Sequence, residues 1–461
     1  MIRTRFAPSP TGRLHLGNVR TALFSALYAA KQGGAFVLRV EDTDAARSRE
    51  SHIASQLEDL RWLGLEWNEG PDLGGPHEPY RQSERGAIYA RYFDRLAADD
   101  RTYPCFCSAE ELAAARAAAL AACRAPRYSG TCARLMPEEA QRRLVGGELA
   151  SLRFRVPPGR SVVFDDLVRG EQRMAADDLG DFVVRRTDGS PAFFFANALD
   201  DALMEITHVL RGEDHLTNTP RQLLILEALG LTAPRYGHLP LVLDLSGKPL
   251  SKRDASIGLA DLREAGILPD ALANYLLRLG HATMNAALLD VSRRASEFDP
   301  AHLGRAPAHF DAVQLAHWQR LAVHALDSAG AAAWAGAASV PQERWPDFWA
   351  LVRDNVESRE DVATWADALM SLPDVKALGD APATLMGTAV ELAEEPDYEA
   401  FVRELKERSA LGGRKLFQPL RAALTGRHDG PELARLWTYF TPAERREHFR
   451  HAHKVIRDAV A

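Results

Sequence analysis

Apolar residues at the start of the chain follow first a strand-like and then a helical spacing. Residues 2–7 predict a short strand that ends at Pro8, because proline has no amide hydrogen for a central strand. Residues 16–30 carry apolar side chains at helical spacing, and a glycine pair ends that run before a strand predicted over residues 36–40. Strand, loop, helix and strand form a βαβ unit. This unit predicts a parallel sheet that binds its ligands at the carboxyl ends of its strands.

The middle of the chain has a different character. Residues 103–191 contain every cysteine, an alanine-rich helix predicted over residues 109–122 and strand-like residues 152–156, which indicates an insertion. The alternation then resumes with a strand predicted over residues 193–198 and a helix over residues 221–229. Beyond about residue 322 only helical spacing recurs. The helix candidates there are residues 326–337, 347–356, 398–409 and 431–439.

Length and composition narrow the class of protein without identifying it. The 461 residues predict roughly two to four domains, and 46% hydrophobic and 26% charged residues are typical of globular proteins. No apolar run is long enough to cross a bilayer and the first residues lack the apolar stretch of a signal peptide, so a cytoplasmic protein is expected. The net charge of −7 gives no global support for nucleic-acid binding, so that argument must come from motifs.

A first motif, Pro-Ser-Pro-Thr-Gly-Arg-Leu-His-Leu-Gly-Asn at residues 8–18, lies between the first strand and the first helix. Gly12 and Gly17 permit close approach of a ligand to the backbone, and the unpaired amides of a helix start suit phosphate oxygens. His15 would add a donor there. The same run also fits a proline–glycine turn with an incidental histidine, so the motif alone leaves both interpretations open.

A second motif, Lys-Pro-Leu-Ser-Lys-Arg at residues 248–253, follows a strand candidate over residues 241–243. A mobile cationic loop can close over the charge that develops at a phosphoryl centre, and Lys252 is the strongest candidate for that role. Taken alone, a loop rich in lysine and arginine is more often a solvated surface turn.

Together, in this order and spacing, the two motifs resemble the His-Ile-Gly-His and Lys-Met-Ser-Lys-Ser signatures of class I aminoacyl-tRNA synthetases. Three further runs resemble blocks of bacterial-type glutamyl-tRNA synthetases: RFAPSPTG at 5–12, RVEDTD at 39–44 and HVLRGEDH at 208–215. The resemblance is strong up to about residue 315 and weak in the helical remainder. Two positions depart from the signatures: Asn18 replaces the second histidine, and Pro249 replaces the first lysine, with Lys248 one place earlier.

The resemblance implies an enzyme that forms glutamyl-adenylate from ATP and transfers glutamate to tRNA(Glu). Glutamate has two carboxylates and one ammonium group, so its pocket needs guanidinium groups for the former and a carboxylate for the latter. The implied catalytic residues, acting as electrostatic stabilisers, are His15 and Lys252. The implied ATP-binding residues are Pro8, Ser9, Gly12, His15, Gly17, Asn18, Leu250, Ser251, Lys252 and Arg253. The implied glutamate-binding residues are Arg5, Ser9, Glu41, Phe193 (where a tyrosine is often found), Asn197 and Arg211.

The cysteine run resembles the zinc site in the acceptor-stem-binding insertion of many glutamyl enzymes. Cys105 and Cys107 flank one residue and can bind a tetrahedral ion from a single turn, and Cys132 supplies a third sulfur. Two candidates exist for the fourth ligand: Tyr128 matches an alternative pattern in the family, whereas Cys123 is the better donor chemically. Reduced structural thiols without a metal are the alternative interpretation.

We therefore predict an α/β protein, with a Rossmann-like parallel-sheet catalytic domain that carries a zinc-type insertion and an all-α C-terminal anticodon-binding domain. The predicted segments are the first half of the catalytic domain at 1–102, the insertion at 103–191, the second half of the catalytic domain at 192–238, a linking domain with the second motif at 239–321 and the anticodon-binding domain at 322–461.

The implied partners are tRNA(Glu), L-glutamate and Mg-ATP, with a structural zinc, and a monomer without a membrane partner is expected. One rival is a truncated paralogue that glutamylates a modified tRNA base; it generally lacks the helical domain, so the residues beyond 322 argue against it. The other rival is a catalytically altered tRNA-binding or regulatory paralogue, and the changed signatures at Asn18 and Pro249 would be the first indication of it. Charging of tRNA(Gln) stays open, because the anticodon-reading residues fall in the weakly matching part.

Overall fold

The computed structural model describes residues 1–461 apart from 124–125, 245, 249–257, 284, 337–338, 379–380 and 461. Four predicted ATP-binding residues of the second motif lie outside the described residues: Leu250, Ser251, Lys252 and Arg253. The chain divides into two compact units, one formed by residues 1–265 and 272–312, the other by residues 266–271 and 313–461. Across the described helices, none is both long enough and apolar enough to cross a membrane.

Short strands alternate with helices through the first unit, and further helices follow in the second unit. The strands are β1 (Arg3–Phe6), β2 (Ala35–Leu38), β3 (Thr102–Cys105), β4 (Ser151–Phe154), β5 (Ser161–Asp166), β6 (Gly170–Ala175), β7 (Phe182–Arg185), β8 (His208–Gly212), β9 (Arg235–Leu239), β10 (Val242–Leu243) and β11 (Ala308–His309). The helices are α1 (Leu16–Lys31), α2 (Glu50–Trp62), α3 (Gly86–Ala98), α4 (Ala109–Ala121), α5 (Pro137–Val145), α6 (Ala176–Leu179), α7 (Phe193–Leu203), α8 (Thr219–Ala228), α9 (Leu259–Glu264), α10 (Pro269–Arg278), α11 (Val291–Glu297), α12 (Ala312–Ala325), α13 (Ser328–Ala335), α14 (Trp345–Val352), α15 (Arg359–Met370), α16 (Ala383–Glu391), α17 (Tyr398–Ser409), α18 (Arg414–Thr425), α19 (Leu433–Tyr439) and α20 (Pro442–Val460).

Parallel strands on both sides of β1 form the base of the first unit. β1 pairs with β2, with Arg3 opposite Ala35 and Phe6 opposite Leu38. On the other side of β1, the amide of Thr207 donates to the carbonyl of Arg3 at 2.9 Å, and β8, which follows directly, pairs in parallel with β9. α1 packs against β1, β2 and β8. The predicted parallel arrangement is therefore confirmed, and the loops after these strands open on one side of it.

The strand predicted over residues 193–198 is wrong, because these residues begin α7. Consecutive phenylalanines favour a strand by intrinsic preference. In the structure Phe195 and Leu199 are fully buried, and the polar side chains of Asn197 and Asp201 are buried as well. Apolar residues fill most of this segment, so its sequence lacks the broad polar face that marks an amphipathic surface helix.

Antiparallel strands occupy the residues between α3 and α7. β3, β4 and β7 form a three-stranded antiparallel sheet, and β5 pairs with β6 as a hairpin. The strand predicted over residues 152–156 corresponds to β4, and the helix predicted over residues 109–122 corresponds to α4. Ser108 caps α4 through the amide of Glu111 at 3.2 Å. The change from parallel to antiparallel pairing favours an insertion here, while its boundaries stay predictions.

A large apolar core lies in the second unit, where helices follow one another. Trp334, Trp349, Trp365 and Trp437 belong to this core, and Phe401 stacks on Trp437 with ring centroids 3.9 Å apart. The described residues beyond 322 contain no strand, as the helical spacing predicts. Helix α17 has the predicted bounds, whereas the other three candidates are observed slightly shortened or shifted, as α13, α14 and α19.

Candidate active site

A cavity of about 650 Å³ lies at the carboxyl ends of β1, β2 and β8 in the first unit. It is the place where a parallel sheet of this kind binds its ligands. Every predicted glutamate-binding residue lines it: Arg5, Ser9, Glu41, Phe193, Asn197 and Arg211. Five predicted ATP-binding residues also line it: Pro8, Ser9, His15, Gly17 and Asn18. Gly12 is not among the lining residues. The geometry brings the two sets together, and their roles stay predictions.

The floor of the cavity is a buried network of charged side chains. Asp201 Oδ1 accepts hydrogen bonds from Arg5 Nε at 3.1 Å and from Arg39 Nη1 at 2.8 Å. Arg39 also donates through Nη2 to Glu41 Oε1 at 3.1 Å, and the amide nitrogen of Asn197 donates to the same oxygen. Arg39 is fully buried. It therefore links the group that holds Arg5 to the carboxylate predicted to bind the ammonium of the substrate.

The two carboxyl groups of the cavity floor, Glu41 and Asp201, differ in how strongly their charged forms are stabilised. Burial raises the pKa of Glu41 above its ordinary value, and the opposing attraction of Arg39 and Arg5 does not cancel that effect. Burial acts in the same direction on Asp201, but Arg5 and Arg39 outweigh it and hold the pKa of Asp201 below its ordinary range. The charged form of Asp201 is therefore well stabilised by its arginine partners, whereas an additional cation would further stabilise the charged form of Glu41.

Arg211, at the end of β8, is a buried cation with neutral hydrogen-bond partners. Its Nε donates to His238 Nε2 at 3.1 Å, and its Nη2 donates to Thr219 Oγ1 at 2.7 Å and to Gln222 Oε1 at 2.6 Å. Burial lowers the pKa of Arg211 to about 10, so the group stays charged at neutral pH. Within the described part of the chain, Nη1 has no hydrogen-bond partner. This arrangement favours an anionic ligand.

Sequence reasoning missed the residues that organise the floor. Asp201 and Gln222 lie in none of the quoted motifs, and Arg39, which opens the run RVEDTD at 39–44, has no role assigned to it there. Gln222 joins Asn197 to Arg211, because it donates to Asn197 Oδ1 at 2.8 Å and accepts from Arg211 Nη2. A signal existed for one of them: Asp200 and Asp201 form an acidic pair inside an otherwise apolar segment. Both are fully buried, and buried carboxylates require partners.

The first motif forms a compact loop at the start of α1. His15 is the N-cap residue of α1, and its Nδ1 accepts from the amide of Asn18 at 3.4 Å. A Cβ atom at Gly17 would lie 3.1 Å from the His15 ring, so a side chain there would crowd the histidine. Gln56 of α2, also missed from sequence, donates to the carbonyl of Gly12 at 2.8 Å and holds the loop against α2.

The first motif also lies beside the chain that follows the second motif. Residues 249–257 are outside the described residues, and Gly258 forms an antiparallel bridge with His15. The amide of Leu259 donates to the carbonyl of Leu14 at 3.2 Å. The chain from Gly258 onward, which follows the second motif in sequence, therefore lies next to the first motif. Elsewhere on the cavity wall, Phe193 stacks on His215 with ring centroids 5.2 Å apart.

Three cysteines form a cluster in the antiparallel part of the first unit. The ligand atoms of Cys105, Cys107 and Cys132 all lie within 4.8 Å of one another, and the Cys107 and Cys132 sulfurs are 3.6 Å apart. The hydroxyl oxygen of Tyr128 lies 3.4 Å from both Cys105 Sγ and Cys107 Sγ. Cys123 is exposed and does not belong to the cluster. The geometry thus favours Tyr128 over Cys123 as the fourth group.

The cavity, the parallel strands and the glycine-containing loop before α1 define a nucleotide-binding α/β fold. Residues 1–317 match the family described as "tRNA synthetases class I (E and Q), catalytic domain", and residues 320–452 match the family "Anticodon binding domain". The chain therefore belongs to the class I tRNA synthetases of the glutamate and glutamine type. The matched C-terminal domain also argues against the truncated paralogue.

Individual relatives resemble the chain over nearly its whole length. A protein of Nitrosococcus oceani named "Glutamate--tRNA ligase 2" is 54% identical over 447 residues, which cover 94% of each chain. A protein of the same name from Alkalilimnicola ehrlichii is 52% identical over 445 residues, covering 94% of this chain and 93% of the relative. The crystal structure of a glutamate tRNA ligase from Elizabethkingia meningosepticum in complex with its amino acid superposes with a TM-score of 0.88, at 31% identity and 99% coverage of both chains.

Proposed function

We propose that this protein is a glutamate–tRNA ligase, which activates L-glutamate with Mg-ATP and transfers it to the terminal adenosine of tRNA(Glu). One observation carries the proposal: Arg211, a buried guanidinium with neutral partners, lines the same cavity as Arg5 and Glu41. Two guanidinium groups fit the two carboxylates of glutamate, and Glu41 fits its ammonium group. The full-length relatives of that name support the same conclusion.

The reaction has two steps in which the protein aligns reactants and stabilises charge. An α-carboxylate oxygen of glutamate attacks the α-phosphorus of ATP, the bond from that phosphorus to the bridging oxygen breaks, and pyrophosphate leaves with the electron pair. A ribose hydroxyl of the terminal adenosine then attacks the carbonyl carbon, AMP leaves, and the hydroxyl proton passes to its phosphate. Neither step needs a covalent enzyme intermediate. The contribution of the residues is therefore positioning and electrostatic.

The start of α1 would bind the phosphates of ATP. The amide of Gly17 lies at the positive end of the helix within the cavity, beside His15, whose Nδ1 accepts from the amide of Asn18. Lys252 would stabilise the charge that grows on the α-phosphate and on the departing pyrophosphate. The bridge between His15 and Gly258 supports this role, because it returns the chain after the second motif to the phosphate-binding loop.

Cys105, Cys107, Cys132 and Tyr128 would hold a structural zinc. In a tetrahedral site with zinc–sulfur bonds of about 2.3 Å, two sulfurs lie about 3.8 Å apart, and a sulfur and a tyrosine oxygen about 3.5 Å apart. The observed separations of 3.6 Å and 3.4 Å fit that geometry. A bound zinc would cross-link β3 to the turn at Cys132, in a small cluster with few apolar residues of its own.

Partners and setting follow from this activity. We propose that the protein acts as a monomer in the cytoplasm and that the second unit binds the anticodon of the tRNA. Light scattering behind a sizing column tests the monomer, since a dimer would elute with twice the mass of one chain. Charging assays with purified tRNA(Glu) and tRNA(Gln) decide whether the protein serves one tRNA or both.

Pyrophosphate exchange tests the proposed activity directly. With ATP and tRNA(Glu) present, the purified protein should incorporate labelled pyrophosphate into ATP, by reversal of glutamyl-adenylate formation, only when glutamate is added, and glutamine should support much less exchange. The rival function, a tRNA-binding paralogue without catalysis, gives the opposite pattern: tRNA is retained on a filter, but no exchange follows with either amino acid. That pattern would overturn the proposal.

A further inference from the structure

The hydrogen bonds of Arg211 determine the protonation of its neighbour His238. A guanidinium group has donors and no acceptor, so His238 Nε2 must accept the hydrogen bond from Arg211 Nε. The hydroxyl of Thr219 accepts from Arg211 Nη2 and lies 3.0 Å from the same nitrogen of His238. His238 Nε2 is therefore a lone-pair acceptor at the centre of this contact, and the ring carries its proton on Nδ1.

Asp166 holds that proton in place. Its Oδ2 lies 2.5 Å from His238 Nδ1, and both side chains are inaccessible to solvent. Its Oδ1 accepts three backbone amides, those of Val168 at 3.0 Å, Arg169 at 2.9 Å and His238 at 3.2 Å. The three amides fix which oxygen faces the backbone. The other oxygen, Oδ2, is therefore the one that accepts the hydrogen bond from His238 Nδ1–H. The carboxylate cannot turn to another position without losing the three amide contacts.

We propose that His238 and Asp166 are positioning residues for glutamate: Asp166 fixes the Nδ1–H form of His238, so that Nε2 accepts from Arg211 and aims its guanidinium at a substrate carboxylate. This inference rests on the proposed function and assigns two further residues to the same site. Nε and Nη2 of Arg211 are held, whereas Nη1 has no partner among the described residues. The hydrogen bonds of Nε and Nη2 fix the orientation of the guanidinium group, and they thereby set the direction in which Nη1 faces a ligand.

The neutrality of the contact explains why a histidine is used. A carboxylate in the place of His238 would pair with Arg211 and neutralise the charge that the ligand needs. The other ring form would turn an N–H toward the N–H of Arg211, which removes the hydrogen bond and sets donor against donor. Only the form that Asp166 selects both holds the arginine and leaves its charge available.

Three substitutions separate this role from a general structural one. His238→Phe keeps a flat ring and removes the acceptor. His238→Gln offers an amide oxygen near the position of Nε2 and does not depend on a ring proton. In Asp166→Asn the amide oxygen stays with the three backbone N–H groups, so the new NH₂ group faces His238 Nδ1 and forces the proton to Nε2.

The experiment measures pyrophosphate exchange with tRNA present, varying glutamate at saturating ATP and then ATP at saturating glutamate. We expect His238→Phe and Asp166→Asn to raise KM for glutamate at least about tenfold, because each leaves a donor of Arg211 unpaired. KM for ATP should change less than about threefold. His238→Gln should lie within about threefold of wild type for both substrates, and Asp166→Asn should add little further effect in the His238→Gln background.

The outcomes distinguish this inference from the proposed function. Absence of glutamate-dependent exchange in the wild-type protein overturns the proposed function. An active wild type whose KM for glutamate is unchanged in Asp166→Asn, a substitution of nearly equal shape, overturns the positioning role even if His238→Phe fails to fold. Equal increases in KM for glutamate and for ATP, or a full Asp166→Asn effect in the His238→Gln background, also overturn it, since they indicate a general loss of structure.

Discussion

Replacing Arg211 with methionine tests whether its buried charge recognises the substrate. Arg211 is 4% exposed, and the partners of its held nitrogens are an imidazole, a hydroxyl and an amide. Burial lowers its pKa to about 10. Loss of one partner of a buried, hydrogen-bonded charge pair costs roughly 2 to 5 kcal/mol, and about 3 kcal/mol lies within that range.

We therefore expect Arg211→Met to lower kcat/KM for glutamate about a hundredfold, since about 3 kcal/mol corresponds to roughly two orders of magnitude. The assay is pyrophosphate exchange with tRNA present and glutamate varied at saturating ATP. KM for ATP should change little, because the loop before α1, which is proposed to bind the phosphates, is a separate part of the cavity wall. Methionine suits the substitution because it is flexible, apolar and of comparable length.

A matched control removes another buried guanidinium outside the cavity. Arg85 is 2% exposed and pairs with Asp200 at 2.7 Å, and Asp200 keeps hydrogen bonds from Gln82 and Tyr89 when Arg85 is replaced. Arg85→Met should leave KM for glutamate near the wild-type value. Glutamate kinetics within about threefold of wild type in Arg211→Met would refute the pocket assignment. An equal loss in Arg85→Met would assign the effect to the fold.

Three further predictions concern the other parts of the machinery. Lys252→Ala should slow adenylate formation by roughly two to three orders of magnitude in rapid-quench measurements while a filter assay still detects tRNA binding, and the reverse result would make the loop an RNA contact. Purified protein should contain about one zinc, Cys132→Ser should lose it and Cys123→Ser should retain it, as elemental analysis would show. Burial raises the pKa of Glu41, and protonation removes its charge. As the pH is lowered, kcat/KM for glutamate should therefore begin to fall at a pH above about 4.3, the pKa of an ordinary glutamate side chain, and Glu41→Gln should lose this limb of the pH profile.

The local parts of the site could be predicted from sequence because short-range rules determine them. Proline ends a strand, glycine permits a crowded turn and a polar side chain caps a helix. The predicted change from strand to helix at the first motif is observed, whereas the capping of α1 by His15 and the contact of Gly17 with its ring are features of the folded structure. The cysteine pair at 105 and 107 is likewise local, and its partner Cys132 follows within the same segment.

The organising network could not be predicted in the same way, because its contacts join distant parts of the chain. Arg5 and Asp201 are 196 positions apart, and Arg39 and Asp201 are 162 apart. No local pattern marks such a pair. The helix that carries Asp201 is itself predicted as a strand at its start, since a run of apolar residues there lacks the polar face that identifies a surface helix. The form of His238 is also a property of the folded contacts alone.

The buried charge of Arg211 gives a physical reason for choosing glutamate over glutamine. Arg5 and Arg39 pair with Asp201, and Arg39 also pairs with Glu41, whereas Arg211 donates to an imidazole, a hydroxyl and an amide. Under the proposed assignment, glutamate offers one carboxylate to Arg5 and the other to Arg211. Glutamine has a single carboxylate, so it would leave a buried guanidinium uncompensated, which is costly in a medium of low polarity.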